Sequence, residues 1–217
     1  NDPHLDARVL PGIWMPIGLF SPEVSAVGAA LPAVPGIMVG RNANVAFGVT
    51  NAYGDSQDVF IEQIAPGKPD HYVDGDQVRP FEAINEIIRV KDSTAAGGFR
   101  EETLVVRRTV RGPIVSDKPV GAQKDRLLSL RMASAGVPGG DIGVDRLLIA
   151  KNATEVDQAV QKIDVMYFNF VFGDKAGAIG HRATGRVPIR RSGQGMFPKP
   201  VTKEDDWASY IPPDKMP

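Results

Sequence analysis

Short apolar runs separated by turn signals fill most of this chain and constrain its fold more than any other feature. GIMVG (36–40), NVAFGVTN (44–51) and DVFIEQI (58–64) are such runs, and the last alternates between two faces. Asp74-Gly75, inside HYVDGDQVRPF, is a strong signal for a tight hairpin turn. The pattern predicts a mainly antiparallel β protein.

The same pattern continues towards the C-terminus. EIIRVK (86–91), EETLVVRRTVRGPIV (101–115) and RLLSLRMA (126–133) predict further strands, and the small, polar segment 92–102 predicts a hairpin tip. The run 167–190 predicts a hairpin that turns at Asp174–Gly177. The last 25 residues are rich in Pro and Gly and are predicted to be irregular.

One stretch, GVDRLLIAKNATEVDQAVQKI (143–163), has helical spacing of its apolar residues. A break at Asn152 or Thr154 divides it into two short helices. Thr154 and Asp157 resemble a capping box at the start of the second helix. The fold class predicted from the residues is therefore mostly antiparallel β with a short helical pair.

Composition excludes several functional classes. Lys and Arg number 25 against 26 Asp and Glu, and this balance gives no reason to expect a nucleic-acid or membrane partner. The absence of cysteine excludes disulfides, a thiol nucleophile and thiolate metal sites. The sequence opens with NDPHL without an initiator Met and closes on a Pro-rich run, so we expect residues 1–217 to be a single fragment of a larger polypeptide, truncated at both ends.

Asp55 and Asp58 are the chemically most informative residues, and they lie in FGVTNAYGDSQDVF (47–60). Three interpretations compete for this stretch: a plain turn in which Asp55 bonds the backbone two residues on, a calcium site, or the rim of an active site. His4, His71 and His181 lack the spacing of a zinc site, and structural roles are predicted for all three. No G-x-S-x-G nucleophile motif is present.

Several motifs in sequence order resemble the penicillin acylase family of N-terminal-nucleophile hydrolases. The most extensive is LPAVPGIMVGRNANVAFGVTNAYGDSQDVFIEQI (31–64), and NDPHL (1–5), TVRGPIVSD (109–117) and DVMYFNFVFGDKAGAIGHRATGRVPIRRSGQG (164–195) agree with it. The resemblance covers essentially the whole chain. It implies an α+β fold, a fragment of the four-layer αββα arrangement taken from the central part of the β chain.

The resemblance also implies a mechanism. In this family a precursor (a zymogen) cleaves itself, and the new N-terminal serine attacks a linear amide with its own α-amino group as the base. The parent protein is then expected to be an amidohydrolase with an α chain as partner and a small acyl-amide as substrate, located in the periplasm or secreted. The serine is expected before Asn1 and the side-chain oxyanion donor after Pro217, so this chain alone is expected to be inactive.

Site residues follow from the resemblance position by position. Asn51 falls where a backbone N–H completes the oxyanion hole, and His4 falls at the border of that hole. The calcium ligands implied are Asp55, the Gln57 carbonyl, Asp58 and the Met196 carbonyl. The acyl-pocket positions implied are Leu5, Val39, Val49 and Phe168. A different class stays open: a non-catalytic, calcium-stabilised, β-rich binding module without a nucleophile.

Overall fold

The structure, a computed structural model, describes residues 12–116, 125–135, 143–202, 204 and 206–217. His4 and Leu5 therefore lie outside the described residues. Two compact units make up the described chain. The first holds the residues up to Ser56, those from Ser134 to Ile189, and Ser209–Pro217; the second holds Gln57–Ala133 and Arg190–Ala208.

Strands dominate both units. In chain order they are β1 Met15–Phe20, β2 Ser25–Ala30, β3 Val39–Asn42, β4 Val45–Asn51, β5 Gln57–Ala65, β6 Lys68–Asp74, β7 Gln77–Pro80, β8 Glu82–Lys91, β9 Phe99–Thr109, β10 Gly112–Pro113, β11 Arg126–Met132, β12 Phe168–Asp174, β13 Ile179–Ala183, β14 Pro188–Arg190, β15 Lys199–Pro200 and β16 Trp207–Tyr210. The helices are α1 Val144–Leu147 and α2 Ala153–Val160, and a 3-10 turn covers Pro213–Lys215.

A six-stranded antiparallel sheet in the order β1-β2-β3-β4-β12-β13 forms the first unit. One face carries Val45, Val49 and Phe170, which are almost fully buried against α1 and α2. Asn42 fixes the β3–β4 turn to α1, because its Nδ2 donates to the carbonyls of Leu147, Leu148 and Ala150 while its Oδ1 accepts from the turn N–H groups of Asn44 and Val45.

The second unit contains a sheet in the order β11-β5-β6-β7, to which β15 adds in parallel along β5. A further sheet, β10-β9-β8, is built on a hairpin with ten register pairs. The hairpin tip predicted at 92–102 is confirmed, since β8 ends at Lys91 and β9 begins at Phe99.

A charged cluster lies inside the second unit. Glu62 is fully buried on β5, and its Oε1 accepts from Thr109 Oγ1 (2.9 Å), Ser129 Oγ (2.7 Å) and Arg111 Nε (2.8 Å). Arg111 also donates to Asp74 Oδ1 at 2.8 Å. Burial lowers the pKa of Arg111, but its bonds to the two carboxylates outweigh that effect and raise the pKa above its ordinary value.

Two predictions are wrong, and two strands lie where none was predicted. The unpredicted strands are β1 and β2, because MPIGLF and SAVGAA contain Pro, Gly and small residues that weaken the strand signal. The last 25 residues are not wholly irregular, since β15 and β16 lie there. The cap of α2 is Asn152, whose Oδ1 accepts from the Glu155 N–H at 2.9 Å, and not Thr154 with Asp157.

Among the described residues, no helix is both long and apolar enough to cross a membrane.

Candidate functional site

A cavity of about 500 Å³ opens in the first unit where β4 ends and β12 begins. Its described lining is mostly apolar and aromatic. The residues are Ile13, Trp14, Leu31, Val49, Thr50, Asn51, Tyr53, Met166, Tyr167 and Phe168. A concave apolar site with few polar groups is the usual form of a small-molecule pocket.

Three of the residues implied by the resemblance meet at this cavity. Val49 and Asn51 come from the end of β4, and Phe168 comes from the start of β12. Their meeting depends on antiparallel pairing that sets Asn51 opposite Phe168 across more than a hundred residues of sequence. Val39 lies half-buried on β3, packed against the core, and it is not among the described residues that line the cavity.

The backbone N–H of Asn51 points away from β12. The Ala52 N–H donates to the Tyr167 carbonyl at 3.1 Å, and bonded and non-bonded positions alternate along an antiparallel pair. Asn51 and Phe168 therefore form a non-hydrogen-bonded pair. The hydrogen bonds of Phe168 are consistent with this, because its N–H and its carbonyl both bond to Thr184 instead. On the other side β3 pairs with β4 only at Ala46 and Phe47, so no described strand covers the Asn51 N–H.

The side chain of Asn51 shapes the segment that follows. The side-chain Oδ1 accepts from the Tyr53 N–H at 2.9 Å, and the backbone carbonyl of Asn51 accepts from Asn169 Nδ2 at 3.4 Å. Tyr53 has a φ of 48°, a conformation that non-glycine residues adopt rarely, and its side chain is 83% exposed at the cavity rim. Strained backbone of this kind often accompanies ligand sites.

Sequence reasoning missed Tyr53, Tyr167, Met166 and Trp14. Tyr53 carried one signal, because an aromatic residue between Ala and Gly in a polar loop is unlike a solvated turn. The other three could not be placed, since they reach the cavity only through the pairing of β4 with β12 and the position of the residues before β1. The indole N–H of Trp14 is buried and has no hydrogen-bond partner in the described part of the chain.

The residues implied as calcium ligands do not all belong to the same unit. Asp55 is exposed and belongs to the first unit, whereas Asp58 is 1% exposed and belongs to the second with Gln57 and Met196. Arg190 Nε (2.8 Å) and Trp207 Nε1 both donate to Asp58 Oδ2. In the described residues, no group of three or more His, Cys, Asp or Glu side chains is arranged to hold a metal.

The second carboxylate oxygen of Asp58 is nevertheless suited to a cation. Oδ1 is buried and has no hydrogen-bond partner among the residues that the structure describes. It faces Gly195, where an added Cβ would lie 2.2 Å from it, so the backbone next to Met196 approaches this oxygen closely. Carboxylate oxygens are ligands that Ca²⁺ prefers, but Arg190 Nε and Lys199 Nζ already lie 2.8 Å and 4.0 Å from the other oxygen of this carboxylate.

The structural roles predicted for the other two histidines stay predictions. His71 is half-buried on β6, and His181 on β13 is exposed, with its Nε2 3.2 Å from Asn169 Oδ1.

A family model for penicillin amidase matches residues 1–217, and the chain belongs to that family. The acyl-homoserine lactone acylase QuiP of Pseudomonas aeruginosa is 30% identical over 98% of this chain and 26% of its own length. The penicillin acylase 2 proenzyme of Pseudomonas sp. strain SE83 is 29% identical over 100% of this chain and 27% of its own length. The chain thus spans about a quarter of the length of these curated relatives.

The fold is also shared with a solved structure, the thermostable penicillin G acylase from Alcaligenes faecalis. The TM-score is 0.81 at 24% identity, and the match covers 96% of this chain and 36% of the other. The predicted fold class is therefore confirmed: an α+β fragment of the N-terminal-nucleophile type, mostly antiparallel β with two short helices.

Proposed function

We propose that this chain is the central β-chain segment of an amidohydrolase that cleaves linear amides, such as penicillin-type or N-acyl side chains. The observation that carries the proposal is the cavity where β4 ends and β12 begins, with the Asn51 N–H at the strand edge beside it. Membership of the penicillin amidase family and relatives named as acylases support it.

In the proposed reaction the N-terminal serine, which another part of the β chain supplies, attacks the amide carbon. Its α-amino group takes the hydroxyl proton and returns it to the departing amine, and water then hydrolyses the acyl-enzyme. The Asn51 N–H donates to the oxyanion of each tetrahedral intermediate. The apolar cavity holds the acyl group, with Val49 and Phe168 as walls.

The acyl group should be large and apolar. Trp14, Met166 and Phe168 add apolar area to a cavity that has few polar atoms. Both substrate types in the relatives' names, penicillins and acyl-homoserine lactones, fit this chemistry, and the lining does not favour charged acyl groups. A location in the periplasm or outside the cell, and an α chain as partner, belong to the same proposal.

The test is turnover of phenylacetyl and fatty-acyl p-nitroanilides by the intact processed protein and by the 217-residue chain. The intact protein should release p-nitroaniline, and the chain alone should not, because the proposal places the nucleophilic serine and the side-chain oxyanion donor in other parts of the protein. Robust turnover by the chain alone would overturn the assignment. An intact protein that binds calcium and has neither a nucleophile upstream of Asn1 nor turnover would be the non-catalytic binding module instead.

Replacing Asn51 tests the oxyanion role. Proline removes the N–H, and loss of one such donor typically lowers kcat about a hundred- to a thousandfold. Alanine keeps the N–H but loses the hydrogen bond that Asn51 Oδ1 accepts from the Tyr53 N–H, so a smaller loss is expected. Wild-type kcat/KM in a folded Asn51→Pro variant would contradict the role.

Calcium is proposed as a structural ion that Asp58 Oδ1 and the Met196 and Gln57 carbonyls would help to bind, with Asp55 still a predicted ligand. It would add rigidity to this part of the chain, where Arg190 and Lys199 already balance the charge of Asp58. Metal analysis and calorimetry on the intact protein should show calcium binding that weakens in Asp58→Asn. The isolated chain should bind weakly or not at all, because other ligands lie outside it. Unchanged affinity in Asp58→Asn would show that the ligands lie elsewhere.

A further inference from the structure

Tyr167 contacts residues 52–54, the short segment that follows Asn51, at two points. Its carbonyl accepts the Ala52 N–H at 3.1 Å, its ring lies against Gly54, and its hydroxyl donates to the Arg186 carbonyl at 3.1 Å. The same residue therefore contacts the segment through both its backbone and its side chain and is itself anchored on the far side of the ring.

Two glycines make room for the ring. A Cβ added at Gly54 or at Gly185 would lie 2.4 Å from Tyr167 Cδ1, which is closer than real contacts allow. Gly185 has a φ of 97°, a value that itself favours glycine. Gly54 lies outside that region, so what requires glycine there is the aromatic ring alone.

The backbone of residues 52–54 needs contacts that hold its conformation. Tyr53, at its centre, has a φ of 48°, and its exposed side chain makes little packing contact that could hold this conformation. Such a backbone persists only when its surroundings enforce it. The bond between Ala52 and Tyr167 is the last one of the β4–β12 ladder next to Asn51, and it holds the chain at the end where the Asn51 N–H is left unbonded.

We propose that Tyr167 is a positioning residue that holds the Asn51 N–H in place for the oxyanion, an inference that rests on the proposed function. Stabilisation of an oxyanion depends on donors that are already oriented, and small misplacements are costly. Tyr167 acts through the backbone of residues 51–54 and not on the reacting atoms.

Tyr167 also borders the cavity, so a role as a simple acyl wall must be separated from positioning. The two roles differ in their kinetics. A displaced oxyanion donor affects the carbonyl that every substrate shares, so kcat falls by the same factor for any acyl group. A missing wall affects only acyl groups large enough to touch it and raises KM.

The experiment compares acetyl and phenylacetyl p-nitroanilides on the intact enzyme. In Tyr167→Leu we expect kcat to fall about ten- to a hundredfold, and equally for the two substrates. Tyr167→Phe keeps the ring and should retain kcat within about twofold, since it loses only a neutral hydrogen bond. Tyr210→Leu is the matched control: it deletes an aromatic ring that packs on Arg186, 4.1 Å from the guanidinium carbon, and should leave kcat unchanged.

A second variant covers the case in which Tyr167→Leu does not fold. Gly54→Ala adds one methyl group against the ring and should lower kcat for both substrates. In the double variant Gly54→Ala/Tyr167→Leu the ring that the methyl group would meet is gone, so the two losses should be less than additive.

The outcomes separate the claims. A loss in Tyr167→Leu confined to KM of the phenylacetyl substrate, or additive losses in the double variant, would overturn positioning alone. No turnover by the unmodified enzyme would overturn the proposed function and this inference with it.

Discussion

At the scale of single residues, the fully buried Glu62 makes a sharp prediction about stability. Arg111→Leu would leave its carboxylate without a cation, and breaking a buried pair in this way costs about 3–5 kcal/mol. Hydrogen exchange of the β5 and β11 amides, measured by mass spectrometry on the intact protein, should be faster in the variant by the factor that this loss of stability implies.

Arg100→Leu is the control for that experiment. Arg100 pairs with Asp92 and Glu102, but about half of its side chain is exposed, and exposed pairs contribute about 0–1 kcal/mol. Equal effects of the two substitutions would show that burial does not govern the Arg111 pair.

Glu62 also shows what residue patterns can and cannot reveal. The alternation of DVFIEQI correctly grouped Phe60, Glu62 and Ile64 on one face of β5. A charged residue in that set gave no hint that its side chain is fully buried. The reason for burial is Arg111, 49 residues further along, together with the hydroxyls of Thr109 and Ser129, and only the folded chain brings these together.

At the scale of elements, the start of α2 provides a matched pair of variants. Asn152→Ala removes the side chain that caps Glu155 N–H and should destabilise the helix by about 1 kcal/mol. Thr154→Ala changes an exposed residue and should cost little. Thermal unfolding or exchange of the α2 amides measures both, and a larger effect at Thr154 would favour the capping box that the sequence predicted.

The β12–β13 hairpin should be sensitive to acid through Asp174. Hydrogen bonds from the backbone N–H of Ala153, and then of Ala178 and Ala176, lower the pKa of this carboxyl below its ordinary value. A lowered folded-state pKa gives stability that is present above the unfolded value, near pH 4, and is lost as the pH falls through the folded value.

Asp174→Asn removes that titration. Below about pH 4 the wild-type hairpin should lose protection from hydrogen exchange more steeply than the variant does, whereas near neutral pH the wild type should be the better protected. Parallel pH profiles for the two proteins would show that Asp174 contributes nothing to this dependence.

Elements were predictable where local chemistry defines them. Asp74-Gly75 and Asp174–Gly177 marked their turns correctly because such residues favour the backbone of tight hairpins. Strand β2 was invisible because Gly28 gives no strand signal. The neighbouring strand β3 explains why residue 28 is a glycine, since a Cβ added there would lie 2.1 Å from the Val39 carbonyl oxygen.

At the scale of the whole molecule, exposed apolar side chains predict how the isolated chain behaves. Phe20 and Ile179 on the six-stranded sheet are 74% and 86% exposed. Exposed apolar groups of this size bind hydrophobic dyes and favour association. The 217-residue chain should enhance the fluorescence of such a dye, and Ile179→Lys should reduce the signal, whereas Thr94→Lys in the exposed β8–β9 loop should not.

The arrangement of the chain into two units could not be read from its sequence. The pairing of β4 with β12 joins segments more than a hundred residues apart, and residues 190–208 return to the second unit after a long excursion into the first. Hydrophobic periodicity defines each strand but carries no information about its distant partner. Position-by-position similarity to a family named Val49, Asn51 and Phe168, which border one cavity, but also Val39, which is not among its described lining residues, and the roles of all four stay predictions.

The ribbon formed by β8 and β9 has a practical use. Ten consecutive paired positions at about 3.3 Å each make an arm roughly 30 Å long, and its tip is a Gly-rich turn with an open surface around Gly97 and Gly98. An affinity tag or fluorophore inserted between Ala95 and Gly97 would leave all ten paired positions of β8 and β9 in place. The protein therefore carries a ready attachment point for immobilisation on a solid support.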